Sequence, residues 1–247
     1  MKHAPNFAYS LSLSAALALG ALALLTVLIT PAFANTPAAP AAATAPAAAA
    51  AAVTTPPAKV VAPTREEVLA RGQQIAGAVC VACHGLDGNS PLATNPNIAG
   101  QPQQYIAAQL GLYKSAKRKN AIKQGMAANL SADDMKALGL YYSVQKNKPA
   151  GTARDQALAD KGQKIYRAGI AQLQVPSCAG CHGGQGAGIP ALYPRVAGQY
   201  PDYLLEQLQR YASGERKNVQ MQAIASRMRE GEMQAVAEYM AGMRPAK

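Results

Sequence analysis

Cys80-Val81-Ala82-Cys83-His84 and Cys178-Ala179-Gly180-Cys181-His182 are the same peptide written twice. Each is a C-x-x-C-H, the pattern in which two thiols form thioethers to a haem and the adjacent imidazole reaches its iron. The chain has 4 cysteines and 3 histidines. These two peptides use all of the former and leave only His3 of the latter. A four-cysteine zinc site would bring its pairs about 15–20 residues apart, whereas here they stand 98 apart. A redox disulfide explains neither the histidine nor the duplication. The residues thus point to two covalently bound haem c groups, held by Cys80 and Cys83 and by Cys178 and Cys181, with His84 and His182 as iron ligands.

The offset of 98 persists beyond the cysteines. Pro96 matches Pro194, and Ala99-Gly100-Gln101 matches Ala197-Gly198-Gln199. Tyr105, Gln109, Leu110 and Tyr113 match Tyr203, Gln207, Leu208 and Tyr211. Arg118-Lys119-Asn120 matches Arg216-Lys217-Asn218. So much register signifies duplication. Upstream of the cysteines Gly72-Gln73 matches Gly162-Gln163 at offset 90, which gives the second half about eight extra residues around Gly169 to Pro176.

Each half reads as helical, and no strand pattern is visible. Thr64-Arg65-Glu66-Glu67 is a capping box that opens a helix running towards Cys80, with Asp160 to Ala168 as its counterpart. A second helix starts near Pro102, or Pro201 in the copy, where proline suits the first turn. A third begins at the N-cap Ser131 and carries Met135, Leu138, Tyr141 and Tyr142 at helical spacing. Its copy carries Val236, Tyr239 and Met240. The fold class expected is all-α, as two tandem domains over 64–150 and 151–247, joined near residues 147–151.

Residues 1–34 read as an export signal: Lys2, then an uncharged run with an apolar core from Leu11 to Ile29, and an Ala32-Phe33-Ala34 cleavage pattern. The apolar stretch is also long enough for an uncleaved anchor. Residues 35–63 are mostly Ala and Pro with one charge, Lys59, and cannot bury enough surface to fold. At polyproline rise this tether reaches up to about 90 Å, the best argument for the anchor, while the Ala32-Phe33-Ala34 pattern makes cleavage the favoured reading. Both phenylalanines lie in the leader and there is no tryptophan, so the folded part has only tyrosine for aromatic bulk. A half of about 90 residues built this way is hard to stabilise without a buried haem. The net charge is +11, one unit of it from Lys2. With an export signal present, that balance points to acidic docking patches on redox partners or to anionic membrane, not to nucleic acid.

The duplicated C-x-x-C-H, the Pro-x-x-Ala-Gly-Gln segment that begins twelve residues after each His, and the tail of each half together resemble the dihaem cytochrome c4 family, from about residue 65 to the C-terminus. The resemblance implies two class I cytochrome c domains about a pseudo-twofold axis, haem edges facing. It implies an electron shuttle of the bacterial periplasm, passing electrons from a donor enzyme such as thiosulfate dehydrogenase to a terminal oxidase or other acceptor. It also implies that the carbonyls of Pro96 and Pro194 accept a hydrogen bond from the ligating imidazoles, and that a methionine is the sixth ligand in each half.

Met221, 39 residues after His182, fits that last role in the second half; a thioether opposite His raises the reduction potential. Met228, Met233, Met240 and Met243 read as packing residues. In the first half the matching residue is Lys123. Three readings compete: Lys123 ligates iron as a neutral amine, a shift of one turn brings in Met126, or the site is open. Gapless register just upstream favours Lys123, and Met126, which matches Ile224, reads as core. Two saturated irons make an electron carrier; a lysine-gated open first site would make a dihaem redox enzyme. Arg118 and Arg216 read either as propionate partners or as solvated helix-end residues, and Tyr105, Tyr113, Tyr203 and Tyr211 as core.

Overall fold

A computed structural model describes residues 62–244. The leader, 1–34, and residues 35–61 of the Ala/Pro tract lie outside the described residues, and so does the question of signal or anchor. Among the described residues no helix is long and apolar enough to cross a membrane. The architecture is all-α, with two isolated antiparallel bridges, Ile170–Val175 and Ile189–Tyr193, and no strands among the described residues.

The first half holds α1 (Arg65–Ile75), α2 (Val81–His84), α3 (Gln103–Lys114), α4 (Ala121–Ala128) and α5 (Ala132–Ser143). The second holds α6 (Gln156–Ala168), α7 (Ala179–His182), α8 (Pro201–Ala212), α9 (Val219–Ala225) and α10 (Glu230–Gly242). The capping box at Thr64 is formed: its hydroxyl accepts from Glu67 N at 3.2 Å and its own N–H donates to Glu67 Oε2 at 2.7 Å. Ser131 and Asp134 form another at the start of α5. Asp160 is not the start of α6. Asp155 is the N-cap, accepting from Leu158 N at 3.0 Å, so the helix begins at Gln156.

The two halves reach the C-x-x-C-H turn by different routes. In the first, α1 passes through a π turn, Ala76–Cys80, straight into α2. A π turn takes up an extra residue without breaking the helix. In the second, α6 stops at Gly169, whose φ of 75° ends it. The extra residues fold into a 3₁₀ turn, Ala171–Leu173, closed by Ile170 N to Val175 O at 2.8 Å and Val175 N to Ile170 O at 3.1 Å. The insertion is therefore self-contained, and Val175 returns its side chain to the core.

In each half the first and last long helices cross at a glycine. A Cβ on Gly72 would overlap the Ala137 carbonyl, and one on Gly162 the Ala235 carbonyl. Tyr141 and Tyr239 lie directly over these crossings. The cores compensate for the missing Phe and Trp with tyrosine, but at different places. Tyr142 fills the first core where Met240 fills the second; Tyr166 fills the second where offset 90 puts Ala76 in the first. Met228, Met233, Met240 and Met243 are all buried, as packing residues should be.

The halves join through a crosswise set of bonds with pseudo-twofold symmetry. Gln199 accepts from Asn97 N at 2.9 Å and donates to Asn97 O at 2.9 Å. Its equivalent Gln101 accepts from Arg195 N at 3.1 Å and donates to Arg195 O at 2.9 Å. Arg118 and Arg216 are not solvated. Both are buried, and each donates to Gln109 and Gln207, at 2.7 and 2.8 Å for Arg118 and 3.0 and 2.9 Å for Arg216. Arg118 also donates to Tyr203 at 3.3 Å and Arg216 to Tyr105 at 2.9 Å, so these tyrosines belong to the joint. The guanidiniums sit over Tyr113 and Tyr211. The connecting segment is anchored too: Ala150 N and Gly151 N donate to Gly198 O, each at 3.1 Å.

The glycine crossing yields a sharp contrast. Gly162→Ala should destabilise the haem-loaded protein by about 1–3 kcal/mol, the cost of overpacking. Gly125, in α4, has open space around its α-carbon, and Gly125→Ala should stabilise by about 0.5–1 kcal/mol. Thermal or denaturant unfolding followed by visible absorbance measures both, and equal effects would contradict this description of the crossing.

Candidate haem-binding sites

Each C-x-x-C-H lies on one helical turn, so its thiols and imidazole share an origin and differ only in reach. His84 and His182 are buried. Their Nδ1 atoms donate to the carbonyls of Pro96, at 2.8 Å, and Pro194, at 2.9 Å. That bond fixes the ring and turns the Nε2 lone pair away from the proline carbonyl. Burial, reinforced by the nearby Lys123 charge and opposed by the Pro96 bond, pulls His84 down to about 4. Burial lowers His182 as well, against the Pro194 bond. Both imidazoles are neutral at neutral pH, the form that binds a metal. No disulfide joins any of the four cysteines. Burial pushes the Cys80 thiol up and Cys178 up to about 11, the opposite of a reactive redox pair. Among the described residues no three His, Cys, Asp or Glu side chains converge as a metal cluster.

Facing the imidazoles stand α4 and α9, two short helices that the sequence reading did not anticipate. The signal was present in the duplicated Arg-Lys-Asn segment, because its asparagine is the N-cap of each. Asn120 Oδ1 accepts from Lys123 N and Asn218 Oδ1 from Met221 N, both at 2.9 Å. Lys123 and Met221 are thus the third residues of equivalent helices. The Lys123 amine lies 2.7 Å from His84 Nε2. Burial holds its pKa below the ordinary lysine value, partly offset by Cys83 and Cys80. Met221 is half-buried against the second core. Met126, expected as core, is 47 % exposed, while its counterpart Ile224 packs inward. A turn's displacement separates Met126 from Lys123, and it faces out of the fold.

A cavity of about 270 Å³ opens beside His182, lined by Cys178, Cys181, Tyr193, Leu208 and Met221 and reaching Tyr105 across the joint. Its wall is mainly apolar, yet it carries Arg195, Arg216 and Lys217 and no Asp or Glu. Thiols at one end, a neutral imidazole, an apolar wall and unbalanced cations fit a haem, whose ring is apolar and whose propionates are anionic. Another cavity, of about 300 Å³ beside Arg167, Tyr239 and Arg244, holds none of the motif residues.

The comparisons with known proteins agree with this geometry. The family model for cytochrome c matches residues 69–142 and again 159–244. Cytochrome c4 of Thiocapsa roseopersicina is 36% identical over 177 residues, covering 70% of this chain and 91% of the relative. A thiosulfate dehydrogenase electron acceptor of Thiomonas intermedia is 36% identical over 171 residues, covering 66% of this chain and 78% of its own. Reduced cytochrome c4 from Pseudomonas stutzeri superposes with a TM-score of 0.67 at 34% identity, covering 71% of this chain and 98% of that one. Two halves, two attachment turns and one pseudo-twofold joint make this chain a member of the dihaem cytochrome c4 family, an electron-transfer cytochrome with covalent haems at Cys80 and Cys83 and at Cys178 and Cys181.

Proposed function

We propose that the protein is a periplasmic shuttle whose two haems differ in potential because they differ in one ligand. The first is ligated by His84 and Lys123 and the second by His182 and Met221. The observation that carries this reading is the equivalence of Lys123 and Met221. Both follow an Asn N-cap by three residues, and the Lys123 amine is turned towards the His84 ring, in direct hydrogen-bond contact with its Nε2 where an iron between them would part the two. Met126 has no comparable support, being exposed on the next turn. An amine stabilises ferric iron relative to a thioether, and a His/Met pair raises the potential. The first haem is then the lower of the two and the place where electrons enter. The leader supports export, to the periplasm or to a membrane tether.

The donor proposed is a thiosulfate dehydrogenase, on the strength of the Thiomonas relative. An acidic docking patch on the donor would complement the basic chain. A carrier is favoured over the dihaem redox enzyme because both irons have a ligand on each face. No spare histidine exists outside His3 to act as acid or base.

Replacing Lys123 with Met should add a second sulfur-to-iron charge-transfer band and raise one of the two midpoint potentials. Two such bands of equal strength in the native protein would instead identify Met126 as the ligand.

With thiosulfate alone the purified protein should stay oxidised, and it should be reduced once a thiosulfate dehydrogenase is added. Turnover of thiosulfate by the protein unaided would make it the enzyme.

A further inference from the structure

The cavity beside His182 has three cationic side chains on its wall and no carboxylate. Two of the three are adjacent in sequence, Arg216 and Lys217, and Arg216 is already committed to Gln207, Gln109 and Tyr105. Arg195 is in a different position. Its main chain is clamped by Gln101 from the other half, at 3.1 and 2.9 Å. Among the described residues its side chain has no ion pair, and its Nε is buried without a hydrogen-bond partner. Burial lowers its pKa with no acid nearby to oppose the effect. A buried donor on a cation is costly to leave unmet.

The first half has nothing like it. The residue equivalent to Arg195 is Asn97, which is neutral and satisfied: its Oδ1 accepts from Ser90 N at 2.8 Å and its Nδ2 donates to Lys148 O at 3.1 Å. The duplication has therefore kept a structural amide on one side and set a spare guanidinium on the other.

We propose that Arg195 grips a propionate of the second haem and thereby sets that haem's potential above the value its axial ligands alone would give. The planar guanidinium fork matches a carboxylate. Its neighbour Pro194 supplies the carbonyl that orients His182, so one dipeptide fixes both the ligand ring and an edge of the macrocycle. A fixed positive charge there disfavours the ferric form, which is one charge more positive than the ferrous. Arg195 acts as a positioning residue, distinct from the iron ligands. The inference rests on two bound haems and deepens the direction of flow proposed above; it does not depend on Lys123.

The test uses the dihaem protein with Arg195→Gln and Arg195→Lys. Redox titration of the Gln variant should show one of the two midpoint potentials falling and the other unchanged, with the Lys variant recovering most of the shift. Resonance Raman spectra should show a displaced propionate bending mode in the Gln variant. Unchanged potentials, or two potentials that move together as a loosened joint would make them, overturn the proposal. The potential that falls should be the one titrating with the sulfur-to-iron band. If two such bands appear, the ligand reading fails while a shift confined to one potential still stands for Arg195.

Discussion

Two thioethers and an imidazole on a single helical turn leave a haem almost no freedom, and the remainder of each half is arranged around that restriction. Once Cys80, Cys83 and His84 define where the ring must lie, the Pro96 carbonyl sets the imidazole's rotation through a 2.8 Å bond. A short helix capped by an asparagine faces each imidazole, and its third residue, Lys123 or Met221, is the sixth ligand proposed above. The long helices have the less specialised task of holding these parts together. They do so at Gly72 and Gly162, where the backbones approach too closely for any side chain. With few large apolar residues, the second-half core leaves a cavity of about 270 Å³ that a haem ring would fill.

Duplication followed by divergence explains where the halves differ. The crosswise bonds of Gln101 and Gln199 go to main-chain atoms, so the residues they clamp were free to change: one is Asn97 and the other Arg195. The Arg118 and Arg216 network runs through side chains on both sides, and all its members are kept. Gln109 and Gln207 each accept from both guanidiniums, which places two like charges close together out of water. Like charges repel strongly in such surroundings. Neutral amides and phenols can orient them but cannot cancel them.

Much of this was legible in the sequence because covalent haem attachment requires consecutive residues. The two C-x-x-C-H turns, their register, the three long helices per half and the packing methionines follow from local patterns. So does the insertion at 169–176, although not the fact that it closes on itself through Ile170 and Val175. What escaped depends on contacts distant in sequence. The helices α4 and α9 are short, 8 and 7 residues, and too brief for periodicity to declare them. Arg118 and Arg216 read as propionate partners or solvated helix-end residues, because their partners in the other half lie 85 to 111 positions away. Met126 looked like core because Ile224 is, yet only one of the two faces inward.

The joint also bears on how the molecule carries electrons. A flexible linker between two haem domains would let their separation vary, and with it the rate of transfer between them. Here the connecting segment is bonded to Gly198 and, through Lys148, to Asn89 and Asp87. Tyr200 reaches across to the Ser90 carbonyl at 2.9 Å, and Arg210 to the Lys119 carbonyl at 3.4 Å. Each bond contributes about 0.5–1.5 kcal/mol net, and a partner lost inside the joint leaves a buried polar group unmet. The halves therefore hold one arrangement. In the function proposed above, a step in potential between the two haems is set by the side chains that differ across the duplication, Lys123 against Met221 and Asn97 against Arg195.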